Sequence, residues 1–196
     1  LAGMGAFGLN SSANDVTTLQ TSGTSITSID YLDANGLALG TMQTSGNINI
    51  SHTGAALTIG GAVTITGTGT FSEDAASTGG VTITATSTIQ TNGQNITFVG
   101  NITINNGFTL NLTTGGGGTA GTITFANVDD FDATSDTTLN LTAAGFSYTG
   151  IGAAFNLDTA ALTTGNALGM NISSGTANAN NLTFRTTNTA VGADLT

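Results

Sequence analysis

The chain has no cysteine, no proline and no tryptophan. It also has no lysine, and its only basic side chains are Arg185 and His52. Each absence removes a class. Without cysteine there is no disulfide scaffold and no Cys-ligated metal site. Without tryptophan, and with only two tyrosines, a membrane β-barrel would lack its aromatic girdles. Eleven carboxylates against one arginine give a formal net charge of −10. Nucleic-acid binding needs cations to neutralise phosphates and release counterions, so that class is excluded, and anionic membrane surfaces are disfavoured by the same field. No apolar run approaches the roughly 20 residues of a spanning helix. The lack of lysine also removes most trypsin sites, which suits life outside the cell. The first residue is Leu1 rather than Met, which suits a mature form or a fragment.

What is present is unusual. Gly (29), Thr (41) and Asn (20) supply nearly half of the 196 residues. Apolar residues make up 38% and charged residues only 6%, so the chain is not disordered, because disorder goes with low hydrophobicity and high charge. Helix formers are sparse. The dominant pattern is a short two-residue alternation bounded by Gly and Asn. It runs through Asn47–Ile50, Leu57–Ile59, Val63–Thr66, Val81–Thr84, Ile96–Phe98 and Ile102–Ile104. It continues through Phe108–Leu112, Ile123–Phe125, Leu139–Leu141, Phe155–Leu157, Met170–Ile172 and Leu182–Phe184. In such a strand the apolar residues line one face and Thr or Asn the other. β-Branched Thr suits an exposed strand face.

The absence of proline leaves every backbone N–H free to join a sheet ladder. From residue 82 onward, the centres of the strands picked out step by 12 to 16 residues, a repeat signature. The pattern predicts an all-β fold, a right-handed parallel β-helix (β-solenoid). In that fold the same face of successive coils stacks about 4.8 Å apart, and Ile, Leu, Val and Phe form inward ladders. The alternative is an antiparallel β-sandwich or jelly roll, in which Asn92-Gly93 and Asn106-Gly107 would be hairpin turns. Residues 1–45 alternate less regularly and read as an N-terminal cap or strand-donating segment, with residues 46–196 as the solenoid repeat region. Leu1, Met4, Phe7 and Leu9 are the candidate assembly residues. They would either cover the open end of the stack or add a strand to a neighbouring copy.

Few residues offer chemistry. Asp129, Asp130, Asp132 and Asp136 form the one charge cluster. Its two readings are a solvated acidic turn and an oxygen-ligand Ca²⁺ loop, although it lacks the Gly and distal Glu of a helix-loop-helix calcium site. Asp30 and Asp33 read as turn residues, and Glu73 and Asp74 as loop residues. His52 has no evident partner in the sequence, so a catalytic triad is not expected. Glycoside hydrolysis needs two carboxylates across a cleft, and here they are scattered. The chain is therefore expected to be no enzyme and to need no cofactor beyond the candidate Ca²⁺. Asn-x-Ser/Thr triplets at Asn10, Asn49, Asn95, Asn101, Asn111, Asn140, Asn171 and Asn181 follow from the strand alternation itself. Thr-x-Thr pairs such as Thr82/Thr84 would suit ice or glycan binding if they stacked in register.

The strings Gly60–Phe71 and Asn95–Ile104 resemble the repeats of filamentous-haemagglutinin-type adhesins, which two-partner or autotransporter routes secrete. The resemblance extends over about residues 45–185, and residues 1–45 do not match the family's secretion signature. It implies a parallel β-helix without catalysis, an extracellular or cell-surface location and a role in adhesion. The expected partners are the rest of a longer chain, further copies of this one, or a host or surface glycan. A self-assembling filament or sheath subunit is the second expectation.

Overall fold

The computed structural model describes residues 1–23, 25–74, 79–105, 107–114 and 121–126, and beyond them the backbone of five strands that reach residue 174. Leu182–Phe184 lies outside the described residues. Among the described residues every regular element is a strand, and every strand pairing is parallel. The fold is a parallel β-solenoid, and the parallel pairing rules out the antiparallel sandwich. Asn92-Gly93 is accordingly a corner between two faces, with the Gly93 amide donating to the Thr114 carbonyl of the next coil.

Three sheets make up the described stack. The first orders β1 (Gly5–Leu9), β3 (Ile26–Asp33), β6 (Ile48–His52), β9 (Phe71–Glu73), β12 (Ile96–Phe98), β15 (Thr122–Ala126) and β18 (Gly145–Thr149). The second orders β2 (Thr18–Leu19), β4 (Ala38–Leu39), β7 (Leu57–Ile59), β10 (Val81–Ile83), β13 (Ile102–Ile104), β16 (Asp130–Ala133) and β19 (Asn156–Thr159). The third orders β5 (Met42–Thr44), β8 (Val63–Ile65), β11 (Ser87–Gln90), β14 (Thr109–Thr113), β17 (Thr137–Ala143) and β20 (Leu168–Ser174). From β3 onward the chain visits the sheets in strict rotation, so three strands make one coil.

The register explains the core. Ile48 stands beside Phe71, Phe71 beside Ile96, and Ile96 beside Ile123. In the second sheet Leu57, Val81 and Ile102 form one column, and Ile59, Ile83 and Ile104 the next. Met42, Val63, Ile89 and Leu112 do the same in the third. All of these are buried. Each such side chain contributes roughly 1.5–3 kcal/mol of burial. Phe98 lies between Phe71 and Phe125, with ring centroids 5.4 Å and 6.3 Å away.

A coil is longer than the sequence stepping implies. Register partners lie from 19 residues apart (Ile29 and Ile48) to 31 apart (Leu139 and Met170). The 12–16-residue steps connect strands of different faces. The centre near 97 belongs to the first sheet, the one near 110 to the third, and the one near 124 to the first again. The alternation also missed β11, β16 and β18, whose apolar residues are fewer or interrupted by Asp, Ser and Tyr.

Residues 1–45 contribute β1 to β5, which stack in the same three sheets as the later strands. β1 ends the first sheet and β2 the second, while Ala2 bridges Ser22 beside the third. Leu1, Phe7 and Leu9 are partly buried against the core, and Met4 is 83% exposed.

The corners have their own repeated devices. Where the third sheet hands over to the first, Thr44, Thr91 and Thr114 point inward and are fully buried. Their hydroxyls donate to the carbonyls of Gly46, Gln94 and Gly121 in the following turn. At the same edge Asn47 accepts the Thr70 amide on its side-chain oxygen, and Asn95 accepts the Thr122 amide. The backbones pass closely here. A Cβ on Gly69 would lie 2.0 Å from the carbonyl carbon of Gly46, so only glycine fits.

Candidate functional site

Inward positions of a solenoid strand are expected to be apolar, because a buried polar group is costly unless paired. Three at the corner between the first and second sheets are ionisable. Asp33 ends β3, His52 ends β6 and Glu73 ends β9, and all three have no solvent exposure. Successive coils bring them together. Asp33 is the register partner of His52, and Glu73 stands beside Ile50, one inward position before His52.

Every carboxylate oxygen in this column has a partner. The His52 ring places Nε2 3.1 Å from Glu73 Oε1, and Nδ1 2.9 Å from the Ala55 carbonyl. Glu73 Oε2 accepts the backbone amides of Val99 at 2.6 Å and Gly100 at 2.8 Å. Asp33 Oδ1 accepts the Asn35 amide at 2.8 Å and so shapes the turn after β3. Its Oδ2 accepts the Tyr31 hydroxyl at 2.8 Å and the Val16 amide at 3.3 Å. Tyr31 is pushed up to about 12 from its usual 10.0, first by burial and then by its bond to Asp33 and the charge of Asp33. The column thus ties together the approach to β2 and the strands β3, β6, β9 and β12.

This revises three sequence expectations. His52 is not alone, since its partner Glu73 lies 21 residues away and becomes a neighbour only when one coil stacks on the next. Glu73 is the buried last residue of a strand rather than a loop residue. Asp33 both ends a strand and holds the turn. Asp30 lies within β3 and accepts a bond from Asn10, while Asp74 accepts one from Ser51. The corner is sealed, so its chemistry is that of a buried, hydrogen-bonded polar network rather than of a cleft open to substrate.

The acidic stretch divides differently. Asp130 and Asp132 belong to β16, where Asp132 is the register partner of Thr103 on one side and Asp158 on the other. Asp129 and Asp136 lie outside the described residues. Among the described residues no three His, Asp or Glu side chains are placed to hold a metal ion.

The outer faces carry uncharged polar columns. Thr58, Thr82 and Thr103 share one register column, and Asn49, Ser72, Thr97 and Thr124 share another. Asn111 bonds the Ser87 carbonyl and the Thr88 hydroxyl, which ties it into the ladder. Among the described residues no helix is long and apolar enough to cross a membrane.

No protein-family model, curated protein or solved structure matches this chain.

Proposed function

We propose that the chain is a β-solenoid segment of a bacterial surface adhesin, a non-catalytic extracellular spacer and contact surface. The observation that carries this reading is the continuous parallel ladder of three sheets around a closed apolar core. In such a stack the backbone hydrogen bonds run along the rod axis. Seven strands at about 4.8 Å per step span about 30 Å, and all three faces share any pull along that axis. The outward Thr, Ser and Asn columns offer hydroxyls and amides, which suit hydrogen bonding to a surface glycan. The described residues include no lysine or arginine, which favours a neutral or cationic partner over an anionic one.

A second reading is the filament subunit, and one observation favours it. The N-terminal end presents β1 as a terminal strand, with Met4 exposed beside it. Uncovered strand edges template further pairing.

Electron microscopy with analytical ultracentrifugation at micromolar concentration, with and without Ca²⁺, separates the two. Monodisperse short rods support the adhesin segment. Regular filaments from this chain alone overturn it in favour of the assembling subunit, and deletion of residues 1–9 should then abolish them. Filaments formed only with Ca²⁺ would support the acidic stretch as a metal-dependent contact.

A further inference from the structure

We infer that His52 and Glu73 share a single proton, and that this proton makes the stacking of β6 on β9 and β12 dependent on pH. The inference stands on hydrogen-bond accounting and does not rest on the proposed function. The Ala55 carbonyl can only accept, so His52 Nδ1 carries a proton. Glu73 Oε2 already receives the Val99 and Gly100 amides, so it serves as an acceptor. What remains is the 3.1 Å axis between Nε2 and Oε1. One proton on that axis makes a hydrogen bond, whether it sits nearer nitrogen or oxygen. With none, a ring lone pair faces a carboxylate oxygen and the corner holds a net negative charge with no solvent exposure. With two, an N–H faces an O–H. Only the one-proton state satisfies the site.

The other ionisable groups around the pair are all acidic or phenolic. β3 contributes Asp33 and Tyr31 on the inner side and Asp30 within the same strand. Asp74 follows β9 and bonds Ser51, and Asp15 lies close enough to act on Tyr31. The turn 53–56 and the Val99-Gly100 segment contribute no ionisable side chain. Removing the shared proton therefore adds negative charge to a neighbourhood that already has it. Stability is present while the axis is protonated and is lost on the alkaline side as the proton leaves.

Because the chain has one histidine, ¹⁵N-histidine labelling of the wild-type protein gives a single ring spectrum. A protonated Nδ1 throughout the folded range is the expected result. A neutral ring with the proton on Nε2 and a bare Nδ1 would overturn the inference. The second experiment compares Tyr31→Phe with Tyr31→Phe/Glu73→Gln, so that the tyrosine does not titrate. The glutamine carbonyl can accept the two amides while its NH₂ donates to Nε2, which fixes the shared hydrogen covalently. The double variant should fold and lose the alkaline fall in urea midpoint that the single variant shows. An unchanged fall, or a double variant that does not fold, overturns the inference. In Glu73→Ala, whose side chain cannot accept, hydrogen exchange at Val99 and Gly100 should be faster by about tenfold or more; unchanged exchange there would also count against it.

Discussion

Phe98→Ala should destabilise the solenoid by about 4–5 kcal/mol. The ring has no solvent exposure and sits in the middle of the first sheet, between β9 and β15. Phe→Ala in a core typically costs about 3–5 kcal/mol through lost transfer energy and the residual cavity. Two features place this site at the upper end. The ring contacts Phe71 at 5.4 Å and Phe125 at 6.3 Å, and each aromatic pair contributes about 0.5–1.5 kcal/mol beyond its area. The neighbours also cannot collapse into the gap, because the backbone ladders hold successive coils about 4.8 Å apart. Against a total stability of about 5–15 kcal/mol, such a loss would bring the protein close to unfolding. Urea denaturation followed by far-UV circular dichroism measures it, with Phe98→Leu as the control, expected to cost less than about 1.5 kcal/mol. A loss below about 1 kcal/mol for the alanine, or equal losses for both variants, would refute a closely packed aromatic ladder here.

Ile104→Asp should unfold the chain or the coils around it, since it places an unpaired charge between Ile83 and Ala133 at a fully buried position; an unchanged thermal midpoint would remove Ile104 from the core. Gly69→Ala should cost about 1–3 kcal/mol by overpacking, because the new Cβ meets Gly46 backbone at 2.0 Å. A neutral effect on the urea midpoint would mean the corner can open. Tyr31 gives a pH prediction. Its folded value of about 12 lies above the ordinary 10.0, so its contribution is whole below pH 10 and is lost as pH rises from 10 to 12. That window corresponds to roughly 2–3 kcal/mol. The fall in stability across it should be smaller by that amount in Tyr31→Phe, and equal falls in both proteins would count against the buried Tyr31–Asp33 bond.

Several features were legible in the sequence because they are local. Alternation such as Val81-Thr82-Ile83 states directly which residues face inward, and the structure buries Val81 and Ile83 with Thr82 between them. The absence of proline left every ladder donor in place. Strands that carry fewer large apolar residues escaped the same reading. Ser87 opens β11 with a buried hydroxyl that bonds the carbonyls of Ala85 and Ile59, and no periodicity marks such a residue as inward. β1 to β5 were obscured for a similar reason, since Tyr31 and Asp33 occupy inward positions of β3.

The sequence by itself determined the strand character, the inward apolar columns and the exclusion of polyanion binding, because composition and two-residue periodicity act within a few residues. Only the tertiary structure decided how long a coil is, which faces alternate, and that His52 meets Glu73 while Asp33 meets Tyr31 and Val16. Those partnerships depend on the register between coils. A coil varies from 19 to 31 residues because its corners absorb insertions at little cost, so the distance along the chain does not reveal which side chains share a level of the stack.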